Sequence, residues 1–363
     1  MYNLDEQGQQ AEVAKGRYSG YTTITIPATI NHEGVEYRVT GIGDEAFYEC
    51  AELTDVILPE GLERIGNKAF VACTMLWYIN FPTTLKSIGE EAFYYCQNFG
   101  YNDKLDLALP KGLESIGNRA FKMTAVVDVI IPESVTSIGD GVFMATHLCS
   151  IILPKSMTCI GEQMFAHTYL TTITIPEDVT SIGTSVFQGC SKLASVTLSE
   201  KLESIGNNAF DNCRNLTSIT IPEGVTTIGE AAFRDCSGIR RINLLGCVES
   251  IGSGGFYLNT NEAINIYCYS EEPPYIDNTT FNCNRNKSVV HVPESAMDAY
   301  CDPENLWERI FRNIVPLTEE EMGIDELTSD NSQLTIYDLS GRRVEKAAKG
   351  GIYIVNGRKV VIK

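Results

Sequence analysis

With 363 residues, 44% of them hydrophobic, the chain has enough apolar content for a sizeable core and does not read as a disordered tail. A net charge of −19, from 28 Lys+Arg against 47 Asp+Glu, repels phosphate backbones and anionic lipid and so argues against a nucleic-acid role. No stretch of 18 or more apolar residues occurs, which argues against a transmembrane segment.

The start, Met1-Tyr2-Asn3-Leu4-Asp5-Glu6, carries neither a basic cluster nor an apolar core, so no signal peptide is visible. Residues 1–38 are expected to hold a hairpin cap, with alternating segments 21–27 and 36–39 joined through Asn31-His32-Glu33-Gly34. An Ile-Gly pair then recurs, with Gly at 43, 66, 89, 117, 139, 161, 183, 206, 229 and 252, and each Gly is followed four residues later by Phe, from Phe47 to Phe256. The steps are 22 or 23 residues apart from one of 28, whose extra residues fall near 99–103 and predict a loop bulging from one edge.

Upstream of each pair lies an alternating apolar segment, commonly closed by Pro, as in Leu216-Thr217-Ser218-Ile219-Thr220-Ile221-Pro222. Such a segment predicts one short strand per repeat. The Gly is read as a turn residue, and the Glu-Ala-Ala-Phe type segment after it as one helical turn that plunges Phe inward. Each unit is too small to bury its own apolar face, so stability must come from stacking, with strands roughly 4.8 Å apart. The expected architecture is therefore an α/β repeat solenoid over residues 39–316, with a parallel sheet on one side and a cap at each end.

At the far end, Val289-Val290-His291-Val292-Pro293 reads as a last strand, and Leu306, Ile310 and Ile314 recur at helical spacing over residues 304–313, with Trp307 as a lid. Residues 317–333 form an acidic link, and residues 334–363 a small antiparallel β unit with turns at residues 339–342 and at Asn356-Gly357. That unit carries seven basic residues against Asp338 and Glu345, or +5, while the remainder is 21 minus 45, or −24.

The repeat resembles the BspA-type leucine-rich repeats of bacterial surface proteins, with the form Leu-x-x-Ile-x-Ile-Pro followed by Val-x-x-Ile-Gly-x-x-Ala-Phe-x-x-Cys. The resemblance covers about residues 39–315. It implies display at the bacterial surface, extracellular or on the outer membrane, and some members of the family are adhesins for host matrix or plasma proteins. The tail segments Ile336-Tyr337-Asp338-Leu339-Ser340-Gly341-Arg342-Arg343-Val344 and Gly351-Ile352-Tyr353-Ile354 look like sorting domains read by the type IX secretion machinery, which implies export. The other reading of this unit is a small β appendage docked on the stack.

Twelve cysteines invite a disulfide framework, but Cys50, Cys73, Cys96, Cys190, Cys213 and Cys236 each fall three residues after the repeat Phe, where other repeats place Thr124, Thr146, Thr168 or Asn259. A slot shared by Cys and Thr is a small packing site. Cys268, Cys283 and Cys301, outside it, stay open as disulfide candidates. The four His lie in no metal-ligand spacing, and no phosphate loop or nucleophile elbow is present. No cofactor, metal or catalytic site is expected.

What remains is the outward surface of the sheet. Its two columns run Asp55, Tyr78, Asp106, Asp128, Ser150, Thr172, Ser195, Ser218, Arg241, Ala263 and Ile57, Asn80, Ala108, Ile130, Ile152, Thr174, Thr197, Thr220, Asn243, Asn265. The N-terminal half mixes carboxylates with Ile and Tyr, so Asp55, Ile57, Tyr78, Asn80, Asp106, Asp128, Ile130 and Ile152 are the candidate partner-binding residues. The expectation is a monomeric, non-catalytic surface or secreted protein that binds a host or envelope protein. A structural or assembly component of the cell envelope is the alternative.

Overall fold

In the computed structural model the described residues are 1–100, 107–318 and 321, together with the strands Asp325–Leu327, Ile336–Tyr337, Arg343–Val344, Ile352–Val355 and Arg358–Ile362. From the N-terminal strands to Ile314–Pro316 the chain winds as a parallel-strand solenoid of about twelve turns. Each turn presents an alternating strand on one face, for instance Thr172–Thr174 beside Ser195–Thr197 with Ile173 opposite Val196. A second, two-residue strand ends each Ile-Gly approach, as where Ser204–Ile205 pairs Ser181–Ile182 on one side and Thr227–Ile228 on the other. The expected single strand per repeat is thus two, because the residue before each Ile is also extended.

The helical half of the α/β expectation is not met, and the solenoid is nearly all sheet. The residue two after each repeat Gly is left-handed, with φ between 52° and 64°, in all ten repeats: Glu45, Lys68, Glu91, Arg119, Gly141, Gln163, Ser185, Asn208, Ala231 and Gly254. A second left-handed residue stands two after the Phe in nine of them, from Glu49 to Asp235. Two such residues four apart cannot belong to a right-handed helix. They turn alternate N–H groups along the solenoid axis: Glu45, Phe47 and Glu49 donate to the carbonyls of Asn67, Ala69 and Val71, and the same three bonds recur at each of the nine junctions. Inter-turn bonding of this kind satisfies the donors that a helix would have used internally.

The Gly column has a related cause. A Cβ on Gly229 would lie 2.6 Å from the backbone nitrogen of Asn207, and Gly66, Gly89, Gly206 and Gly252 meet their neighbours' backbone in the same way. Close approach between turns excludes a side chain there, while the left-handed residue of the turn is two positions later.

Inside, the repeat Phe rings form one continuous stack from Phe47 to Phe281, with neighbouring centroids 4.8 to 6.4 Å apart. Phe99, from the long repeat, intercalates beside Phe93 and Phe121. The loop expected after it lies outside the described residues from 101 to 106. All twelve cysteines are free. In the Cys slot the thiols of Cys73, Cys96, Cys190, Cys213 and Cys236 donate to the Phe carbonyl one repeat back, at 2.9–3.2 Å, whereas Thr124, Thr146 and Thr168 donate to their own Phe carbonyl at 2.8 Å. Either residue meets a buried acceptor, which is why the two interchange.

At the start, the hairpin is Thr29–His32 against Val35–Ile42, turning at Glu33-Gly34. The segment expected as its first strand instead gives Thr23–Thr25, which extends the sheet face beside Asp55–Ile57. At the far end, the helix is only Leu306–Ile310: Phe311 is extended, and Ile314, expected on the helix, lies in the strand Ile314–Pro316. Trp307 is fully buried, edge-on to Phe281 at 5.4 Å, with its indole N–H donating to the Pro274 carbonyl at 2.9 Å. The turns expected in the tail, at 339–342 and 356–357, lie outside the described residues.

Candidate interaction surface

The sheet face is interrupted. Strands Thr23–Thr25, Asp55–Ile57 and Tyr78–Ile79 form one hydrogen-bonded group, and Leu107–Ala108, Asp128–Ile130 and Ser150–Ile152 another, with the long repeat between them. The candidate residues therefore fall into two patches.

In the first, Asp55 pairs in register with Tyr78 and holds the Thr54 hydroxyl at 2.6 Å, while Ile57 and Tyr78 are exposed. Asn80 is spent on structure: its side chain accepts from Leu58 N–H at 2.7 Å and donates to Leu58 C=O at 2.8 Å, substituting for backbone pairing. Two neighbours that sequence reasoning missed, Met75 and Trp77, are each about half exposed. They precede the strand, outside the two alternating columns, so strand periodicity carried no signal for them.

In the second patch, Ala108, Ile130 and Ile152 stand side by side in register. Ile130 is 54% and Ile152 57% exposed, more than any other Ile, Leu or Val of the described sheet face. Together with Leu107, Leu109, Ile131 and Pro132 they bound an apolar groove of about 610 Å³, rimmed by Lys111 and Glu133. Asp128 is half-buried at the start of its strand, and Asp106 lies outside the described residues. Farther along, a second groove of about 830 Å³ is floored by Thr172, Thr174 and Thr197 and is more polar.

The column ends differ from expectation. Arg241 pairs with Asn265, and Asn243 with Tyr267, two positions later than a strict repeat of 22 places them, because this turn is longer. Asn265 consequently takes the place of Ala263 in the first column and Tyr267 that of Asn265 in the second, with His291 next after Tyr267. The Arg241 guanidinium lies 3.9 Å over the Tyr267 ring, and that ring stacks on His291 at 4.3 Å.

The core thiols behind this surface are poor nucleophiles. Burial pushes the thiols of Cys50 and Cys190 up to about 11 and that of Cys268 to about 12, so they stay protonated and poorly nucleophilic near neutrality. Among the described residues, no group of three or more His, Cys, Asp or Glu is placed to hold a metal ion. No described helix is long and apolar enough to cross a membrane.

Stacked short parallel strands, one Phe and one close-contact Gly per turn, and an exposed sheet face define a leucine-rich-repeat solenoid. Within that class the chain belongs to the BspA type leucine rich repeat family, whose repeat matches in six copies across residues 21–123, 114–226 and 203–299. No curated protein matches it in sequence. A leucine-rich repeat protein from Bacteroides ovatus shares the fold, with a TM-score of 0.69 at 23% identity over 90% of this chain and 80% of its own. A leucine rich cell surface protein from Faecalibacterium prausnitzii is 22% identical over 88% of this chain and 94% of its own, with a TM-score of 0.45. Proteins of this family are typically non-enzymatic, surface-associated scaffolds that bind other proteins.

Proposed function

We propose that the chain is a non-catalytic binding protein of the bacterial surface or its secretions, that its ends are capped by the N-terminal hairpin and the Trp307 segment, and that a host matrix or plasma protein docks on the Ala108–Ile130–Ile152 groove. One observation carries the choice of site. The same outward column holds Thr174, Thr197 and Thr220 farther along, so β propensity alone is satisfied by Thr, yet two adjacent, half-exposed Ile border an apolar groove here. A groove of that size suits one large apolar side chain of a partner, the kind of anchor on which binding energy concentrates. Tyr78, Ile57 and Asp55, with Met75 and Trp77, would form a flanking contact. The sorting-like tail supports export to the surface.

The test is binding to a panel of matrix and plasma proteins by the wild type and by Ile130→Ser/Ile152→Ser, with melting followed in parallel. The double variant is expected to lose at least about tenfold in affinity, corresponding to 1.4 kcal/mol, without loss of thermal stability. Full affinity retained by the variant would sink this site. Regular self-association of the wild type in light scattering, with no ligand in the panel, would favour the envelope-assembly role.

A further inference from the structure

The sheet face is open at Ile130 but closed at its C-terminal end, and the segment that closes it is the beginning of the acidic link. Leu317 still follows the last strand: its N–H donates to the Val292 carbonyl at 2.7 Å and its side chain is buried. Thr318 and Glu321 then close a turn on themselves. The Thr318 N–H donates to Glu321 Oε2 at 2.8 Å, and the Glu321 N–H to Thr318 Oγ1 at 3.3 Å. This is the reciprocal bonding of a helix capping box, drawn here from Thr-Glu-Glu-Glu with no helix among the described residues beyond it.

The turn is pinned to the sheet from outside. The Tyr269 hydroxyl donates to the Glu321 carbonyl at 2.8 Å. The Glu321 carboxylate lies 3.2 Å from His291 Nδ1, a close approach without hydrogen-bond alignment, and the His291 and Glu321 side chains are largely covered, at 15% and 21% exposure. Below them, Tyr267 is 7% exposed although it occupies an outward position, with Arg241 on one ring face and His291 on the other. Outward residues of a solvated strand are not ordinarily buried to this degree.

We infer that Leu317, Thr318 and Glu321 form a strap, fastened by the Thr318–Glu321 bonds and by Tyr269 and His291, which shields the aromatic end of the sheet face and limits the surface open to a partner to the turns before it. Release of the strap would uncover Tyr269 and His291 without unwinding any repeat, because the segment adds to the face and contributes no Phe to the stack.

The experiment uses the full chain at neutral pH and two variants that leave the core intact, Tyr269→Phe and Glu321→Ala, with Glu294→Gln as an exposed control. Two rates are read: thermolysin cutting before Leu317 in both variants, and nitration of Tyr269 by tetranitromethane in Glu321→Ala. Removing one fastening hydrogen bond should raise the open population about fivefold, so cutting should rise about fivefold in both variants and nitration about fivefold in Glu321→Ala, at unchanged melting temperature and with the control at the wild-type rates. Wild-type rates of cutting in both variants, or of nitration in Glu321→Ala, would overturn the strap.

Discussion

At the scale of single residues, the solenoid is specified by positions where almost nothing else fits. Gly229→Ala places a Cβ against the Asn207 backbone, so it should cost about 1–3 kcal/mol in denaturant unfolding, although alanine ordinarily improves local propensity. At the Cys slot the acceptor and the volume both matter. Cys213→Thr should lie within about 1.5 kcal/mol of wild type, since Thr already fills the slot at 124, 146 and 168, whereas Cys213→Leu should destabilise by about 1–3 kcal/mol through overpacking. The Phe, Gly and Cys columns were legible because each is one residue type at one spacing. The left-handed positions were not: they are filled by Glu, Lys, Arg, Gln, Ser, Asn, Ala, Tyr, Met, His and Asp as well as Gly, and what holds them is the bond each N–H makes to the next turn rather than any property of the residue itself.

At the scale of elements, local pattern and tertiary demand diverge most at the ends. Helical spacing of Leu306, Ile310 and Ile314 was real, but the chain keeps only the turn needed to bring Trp307 over Phe281 and then returns to strand. Trp307→Ala should therefore cost about 3–5 kcal/mol, read as a lowered denaturant midpoint. The strap makes a prediction in pH. Burial alone would push the Glu321 carboxyl up, but bonds from the Thr318 backbone and side chain, together with His291, outweigh it and hold the group below the usual carboxylate range. A group lowered in the fastened state favours fastening above its ordinary value, and that contribution is lost as pH falls through the lowered one. Hydrogen exchange of the Glu321 amide should therefore accelerate, relative to intrinsic rates, below about pH 4 in the wild type and not in Glu321→Gln. An acid response of equal size in the variant would assign it to another carboxylate.

For the whole molecule, periodicity marked ten repeats of a stack that runs to about twelve turns, while the length of individual turns decided what shares a face. The step of 28 separates Tyr78 from Ile130, and the longer turn after Gly252 puts Asn265 where a fixed period would have put Ala263 and Tyr267 where it would have put Asn265, with His291 next in line. The adjacency of Ile130 and Ile152 was accordingly legible, whereas the division of the candidate residues between two groups of strands was not.

The axial ladder formed by the left-handed residues also has an electrical sense. In all nine junctions the donor belongs to the earlier repeat and the acceptor to the later one, so these peptide units point the same way along the stack. Each carries a dipole of about 3.5 D, and aligned units add. Inter-turn bonds of the opposite sense, such as Gly66 N–H to the Ile42 carbonyl and Glu63 N–H to the Thr40 carbonyl, belong to the strands of the same turns, so the alignment is a property of the ladder edge and is offset across the section of the solenoid. At the last repeat the ladder is not left open: the Gly254 N–H donates to Thr279 Oγ1 at 3.2 Å and the Phe256 N–H to the Thr280 carbonyl at 2.8 Å, so the turn beyond the tenth repeat Phe extends the ladder edge in the same sense.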